Sequence, residues 1–102
     1  MKLNQLNKSI EVMTTAYAVG QLVSKAGGNN VNIDIDEDCD GYPIVFINSP
    51  NLVNNKDIVN IHIFNDNVSI YDEIDMKLTT IEELKKKFSY GISLTPQTNL
   101  VI

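Results

Sequence analysis

The hydrophobic period of this sequence changes at Gly27-Gly28, and this change constrains the fold more than any other feature. Before it, over residues 2–26, apolar residues recur every three or four positions, which is the period of an α-helix. After it, over residues 31–36, apolar and polar residues alternate strictly, which is the period of a half-buried strand. Because glycines readily take the left-handed conformation that ends a helix, the sequence predicts one long N-terminal helix followed by a strand.

The predicted helix carries two adjacent apolar stripes. The first consists of Leu3, Leu6, Ile10, Met13 and Tyr17, and the second consists of Val12, Ala16, Val19, Val23 and Ala26. Together they predict a wide buried face that packs on a sheet. The first stripe has heptad spacing, but it lasts only about two heptads, so a coiled-coil dimer is the weaker interpretation. Gly20 lies inside the predicted helix, where glycine costs about 1 kcal/mol of stability relative to alanine. Its presence there indicates that a neighbouring backbone approaches closely.

Four strands are expected after this helix. In the first, Val31, Ile33 and Ile35 should point toward the core. The second, over residues 42–47, is apolar on both faces, which predicts an inner strand or a partly covered second face. The third and fourth, over residues 58–64 and 68–74, are separated by Asn-Asp-Asn at 65–67, which is typical of a tight hairpin turn.

A second, shorter helix is predicted to begin after Thr79-Thr80, because a threonine followed three residues later by a glutamate is a capping signal. Its buried stripe should contain Leu78, Ile81, Leu84 and Phe88, and Gly91 should end it. The tail, residues 92–94 and 99–102, is apolar enough to add a short edge strand or to cover one. Residues 1–102 are therefore predicted to form a single α+β domain, with both helices on one face of a four-stranded antiparallel sheet and the other face open.

The residue types that build most active sites are scarce. The chain of 102 residues has no arginine or tryptophan, one histidine (His62) and one cysteine (Cys39). A single histidine would have to serve every acid–base role, and one histidine with one cysteine cannot complete a four-ligand zinc site. We therefore expect a protein that is not an enzyme and has no cofactor. No signal peptide or membrane-spanning run is evident, so the expected location is cytoplasmic, without membrane association.

Charge is strongly segregated along the chain. Counted from the sequence, residues 1–30 sum to +2, residues 31–78 to −8 and residues 79–102 to +1, giving the net charge of −5. An acidic middle repels nucleic acid and attracts cationic partners, so no direct nucleic-acid binding is expected. The alternative interpretation is an acidic surface that only maintains solubility. Asn and Ile occur 13 times each, which is typical of AT-rich coding in a low-GC bacterium or a phage.

The segment from Asp36 to Gly41 matches the first half of an EF-hand calcium loop, with carboxylates at positions one, three and five and glycine at position six. Position twelve, which should be a bidentate glutamate, is Ile47. Asp and Gly between two strands are also what a hairpin turn requires. A weak calcium-binding module remains an alternative, but no metal ligand is assigned.

The strand alternation brings one set of residues to the face of the sheet that the helices leave open, with two aspartates of the adjoining turn beside it. The candidate partner-binding residues are Asp34, Asp36, Asp38, Asp40, His62, Phe64 and Tyr71. Aromatic rings among carboxylates are typical of recognition surfaces, because a ring contributes contact area at low entropic cost. The expected partner is a protein with a basic surface, such as a nucleic-acid-handling enzyme.

The function favoured by these observations is a small acidic protein-binding module of the inhibitor or immunity type. It would occupy a cleft evolved for substrate or nucleic acid, with its carboxylates standing in for phosphates. A structural or self-assembling phage component is the main alternative, which leaves a homo-oligomer open.

Overall fold

The computed structural model describes residues 2–28, 30–51, 54 and 56–92, and it confirms the predicted α+β fold. In chain order the elements are α1 (Leu3–Lys25), β1 (Asn32–Glu37), β2 (Pro43–Pro50), β3 (Asp57–Phe64), β4 (Ser69–Asp72), β5 (Lys77–Thr79) and α2 (Ile81–Lys87). All five strands are antiparallel, and each pairs with the next in the order β1-β2-β3-β4-β5. Both helices are on one face of this sheet.

The sheet has five strands because the segment expected as one strand over residues 68–74 is divided. β4 ends at Asp72, whose Oδ1 accepts hydrogen bonds from the backbone N–H groups of Ile74 (3.0 Å) and Asp75 (3.2 Å). An aspartate that bonds its own backbone in this way favours a turn over a continuing strand. The predicted turn after β3 is confirmed at residues 65–68, with positive φ at Asn67 and Val68. Apart from Ile92, which is buried and not part of a strand, the tail residues predicted to add an edge strand lie outside the described residues.

Only the second stripe of α1 enters the core. Val12, Val19 and Val23 are fully buried, and they join β2 and β3 residues such as Ile47 and Ile61 in one hydrophobic cluster. The first stripe was expected to be buried as well, and that expectation was wrong: its five side chains are between 39% and 73% exposed. The two stripes lie on different sides of the helix, and one sheet face can contact only one of them. We call the first stripe, from Leu3 to Tyr17, the exposed stripe.

β1 also departs from the expected burial. Ile33 and Ile35 lie opposite Ile47 and Val45 of β2, so they do point to the helix side of the sheet. They are nevertheless 51% and 58% exposed, because α1 packs over β2 and β3 and does not extend over the edge strand. The alternation correctly predicted which side chains share a face, but it did not predict that this part of the face lacks a covering layer.

The end of α1 follows the predicted glycine signal. Gly27, with φ 93°, donates its N–H to the Ser24 carbonyl, and Gly28 donates to the Val23 carbonyl at 2.9 Å. These two bonds form a Schellman motif, which satisfies the last carbonyls of the helix. The close backbone approach expected at Gly20 is not found among the described residues, because a Cβ there would meet only the Ile33 side chain, at an ordinary contact distance of 3.6 Å.

α2 begins as predicted, because the Thr80 hydroxyl accepts a hydrogen bond from the backbone N–H of Glu83 at 3.2 Å. Leu84 and Phe88 are buried beneath it. Leu78 was wrongly placed in this buried stripe: it belongs to β5, is 63% exposed and lies on the opposite face of the sheet. The helix ends at Lys87. Gly91, which was predicted to end it, comes four residues later, after a turn, and has a φ of 87°.

An ion pair connects α2 to the β4–β5 turn. The Lys87 ammonium donates hydrogen bonds to Asp72 Oδ2 at 2.6 Å and to Asp75 Oδ2 at 3.0 Å, and Asp72 is only 2% exposed. Partial burial acts to lower the pKa of Lys87, but the hydrogen bonds to Asp72 and Asp75 outweigh it, so this pKa is raised above 10.5. One buried carboxylate therefore organises both the turn and the position of the helix.

Candidate binding face on the open side of the sheet

The face of the sheet opposite α1, here called the open face, is organised by a row of side chains that crosses all five strands. Phe46 of β2 lies opposite Asp34 of β1 on one side and opposite His62 of β3 on the other. The row continues through Tyr71 of β4 to Leu78 of β5. Directly opposed residues of antiparallel strands share a face, so the register alone brings these five side chains together.

Aromatic rings form the centre of this row. The centroids of the Phe46 and His62 rings are 4.7 Å apart with an edge-to-face angle of 75°, and those of His62 and Tyr71 are 6.5 Å apart. All three side chains are half-buried. The Phe46–His62 contact is one of the arrangements that aromatic pairs prefer.

A groove of about 500 Å³ lies at one end of the open face, between the β1–β2 turn and the β3–β4 turn. Eight residues line it: we call the apolar and aromatic ones, Ile44, Phe46, His62 and Phe64, the floor, and the polar ones, Asp38, Asp40, Asn65 and Asp66, the rim. The groove is within the size range of small-ligand sites, but it is open to solvent, which suits a protruding side chain of a partner better than an enclosed molecule.

The rim of the groove presents hydrogen-bond acceptors. Three of its four residues are aspartates, and none of the described residues that line the groove is a lysine. The fourth, Asn65, has a buried Oδ1 that accepts no hydrogen bond within the described structure. Carboxylates beside aromatic rings match a cationic group that donates hydrogen bonds and contacts a ring face.

Asp38 has a second role in the turn itself. Its Oδ1 accepts hydrogen bonds from the backbone N–H groups of Asp40 and Tyr42, both at 2.9 Å. Gly41, with φ 84°, completes this turn. The part of the EF-hand pattern that the sequence contains therefore forms the β1–β2 hairpin turn. Among the described residues, no three His, Cys, Asp or Glu side chains come together as a metal site.

The seven residues predicted from the sequence fall into three groups. Asp38, Asp40, His62 and Phe64 line the groove, and Asp34 and Asp36 lie on the exposed edge strand beside it. Tyr71 lies on the far side of His62, next to the groove rather than in it. Sequence reasoning missed Phe46, the residue at the centre, although the apolar character of residues 42–47 on both faces was the signal for it.

A polar side chain lies near each ring nitrogen of His62. Its Nε2 lies 3.2 Å from Asn60 Oδ1, and its Nδ1 lies 3.9 Å from a carboxylate oxygen of Glu73. Asp34 shares the open face with His62 but lies two strands away, with Phe46 between them, so the two side chains do not form an acid–base pair. His62 therefore contributes a ring and hydrogen-bonding capacity to the groove floor.

Comparison with known proteins gives no further assignment. Neither a scan against protein-family models nor searches of curated proteins and of solved structures found a significant match. In the part of the chain that the structure describes, no helix combines the length and hydrophobicity needed to cross a bilayer. The geometry of the open face is accordingly the basis for a functional proposal.

Proposed function

We propose that this protein is a small, non-enzymatic binding module that docks its open face and the 34–40 hairpin on a basic surface of a partner protein. The observation that carries the proposal is the groove, in which an aromatic floor is combined with a rim of carboxylates. Lysine and arginine side chains match both parts, because they can contact rings through their stems and charge while donating hydrogen bonds to carboxylates.

The charge of the chain supports the same kind of partner. Four aspartates, at positions 34, 36, 38 and 40, lie on or beside the open face, whereas the lysines of α2 lie on the other side of the sheet. Clustered charge of one sign attracts an oppositely charged partner and raises the association rate. The proposed role is an inhibitor or immunity-type protein, cytoplasmic and of phage or low-GC bacterial origin, that covers a basic cleft of a nucleic-acid-handling enzyme.

The test compares three baits in parallel capture experiments. The first is the wild type, and the second carries Asp34→Asn, Asp36→Asn and Asp40→Asn on the open side. Asp38 is retained because its carboxylate organises the turn. The third is a matched control with Glu11→Gln, Glu82→Gln and Glu83→Gln, which removes the same charge from exposed positions on the two helices, away from the open face and the 34–40 hairpin.

The proposal predicts that a basic protein is captured by the wild type and by the matched control but is lost from the Asp→Asn bait. Binding of that protein to the wild type should also weaken steeply with added salt. Equal capture by all three baits, with each bait shown to be folded by circular dichroism, would show that the acidic hairpin is a solvated turn without a binding role.

A further inference from the structure

The exposed stripe of α1 and two isoleucines of β1 form one continuous apolar surface, which we call the apolar flank. Ile33 and Ile35 lie beside the stripe because no helix covers β1. A shallow groove joins the two parts, and it is lined by Tyr17, Gly20, Val31 and Ile33 together with two polar residues, Gln21 and Ser24. Contiguous exposed apolar surface of this size on a small domain is typical of an interaction site.

The composition of the exposed stripe indicates what kind of partner fits it. Its residues are spaced alternately three and four apart over positions 3–17, which is the a/d spacing of a helix that packs against another helix. The positions that flank the stripe, residues 2, 7, 9, 14 and 16, carry Lys, Asn, Ser, Thr and Ala, so Lys2 at the N-terminal end is the one charged residue among them. Lys8 and Glu11 lie elsewhere on the helix and pair with each other at 3.4 Å. A surface with a single charge at one end offers little to a charged partner, and in an antiparallel pair the Lys2 side chains of the two copies lie at opposite ends of the interface.

The area is sufficient for a dimer. Together, the side chains of the apolar flank expose the equivalent of about four complete large side chains, or roughly 600 Å² per copy at about 150 Å² each. If both surfaces were covered completely, the two copies would bury at most about 1,200 Å² in total, which is at the lower end of the range for stable interfaces.

Charge repulsion disfavours one way in which two copies could pair. Pairing β1 with β1 of a second copy would place the Asp34 and Asp36 carboxylates of the two subunits near one another, which is destabilising. An antiparallel pair of helices avoids this contact. It can set Ile10 against Met13 of the partner subunit and Leu6 against Tyr17 of the partner subunit, so that apolar residues meet along the whole overlap.

We propose that the apolar flank is a homodimer interface in which the exposed stripes of two α1 helices pack antiparallel. The interface is on the helix side of the sheet, so both open faces stay accessible. A dimer therefore presents two copies of the candidate binding face and can bind a partner with two basic sites more tightly than one copy would.

The experiment is a measurement of mass by analytical ultracentrifugation across the micromolar range. The wild type should sediment at about twice the monomer mass of 11.4 kDa. The variant Ile10→Lys, Met13→Lys places two charges in the interface and should be monomeric. Asn4→Lys adds a charge to an exposed position away from the stripe and should remain dimeric. Circular dichroism and urea unfolding establish that each variant is folded.

A monomeric wild type throughout this range would overturn the proposal, as would a dimer that survives the double lysine variant. If the wild type is monomeric and the double variant loses stability, the flank is covered by another part of the same chain, for which residues 93–102 are the candidate. That result also overturns the proposal. None of these results depends on whether the open face binds a basic protein.

Discussion

Replacing Asp72 tests whether one buried carboxylate organises the β4–β5 turn and the position of α2. Asp72→Ala removes the acceptor of two turn N–H groups and the closest partner of the Lys87 ammonium. The two backbone bonds account for about 1 kcal/mol each. Loss of the ion pair adds about 1 kcal/mol rather than the larger cost of a fully buried pair, because Lys87 is 33% exposed and keeps Asp75 at 3.0 Å. The expected loss in the free energy of unfolding is about 3 kcal/mol.

Two further variants should lower the free energy of unfolding by less than Asp72→Ala does. Asp72→Asn keeps Oδ1 for the turn but places an amide against the lysine, so it should cost about 2 kcal/mol. Asp75→Asn alters the exposed member of the network and should cost less than about 0.5 kcal/mol. Urea unfolding, followed by far-ultraviolet circular dichroism at one protein concentration, measures all three. If Asp72→Ala is no more destabilised than Asp75→Asn, the carboxylate does not have the role that its burial and hydrogen bonds indicate.

Three other predictions concern single positions. The pKa of Lys87 is raised in the folded state, so its contribution to stability is complete below about pH 10.5 and is lost as the pH rises through the folded pKa. The stability difference between wild type and Lys87→Met should therefore shrink in alkaline urea titrations, and a constant difference would contradict this. A Cβ at Gly28 would lie 2.9 Å from the Val23 carbonyl oxygen, so Gly28→Ala should lower the free energy of unfolding by about 1–3 kcal/mol, and an unchanged urea midpoint would be evidence against the close approach. Gly20→Ala meets only Ile33 at 3.6 Å and should raise the thermal midpoint, since alanine favours the helix by up to about 1 kcal/mol; a lower midpoint would mean that the space is tighter than the structure shows.

The elements of the fold follow from local signals, which is why the sequence predicts them well. The helix period over residues 2–26, the glycines after it and the threonine cap of α2 depend on neighbouring residues alone. The errors concern which apolar faces are buried against another element and which are left exposed. Nothing local distinguishes the buried stripe from the exposed stripe, because both are apolar and helically spaced. The exposure of Ile33 and Ile35 likewise depends on how far α1 extends across the sheet.

In the candidate site, too, local patterns predict which residues share a face but not which residues meet across neighbouring strands. Alternation within β1 and β3 places Asp34, His62 and Phe64 on one face without knowledge of the tertiary structure. Phe46 becomes central only through the register of β2 between its neighbours, which links residues far apart in the chain. The β4–β5 turn was missed because the predicted strand continued to Ile74, whereas β4 ends at Asp72. The bonds from the Ile74 and Asp75 N–H groups to Asp72 are local, and only the burial of Asp72 and its ion pair with Lys87 are tertiary features.

Recognition of basic groups by the open face can be measured directly by an NMR titration of the isotope-labelled protein with a lysine-rich peptide. Amide shifts should concentrate at residues 38–40, 44–46 and 62–66, where the groove combines aromatic rings with carboxylates. The same titration of the Asp34→Asn, Asp36→Asn, Asp40→Asn variant should show much smaller shifts there. Shifts spread evenly over all acidic positions, including Glu11 and Glu82 on the helices, would contradict the claim.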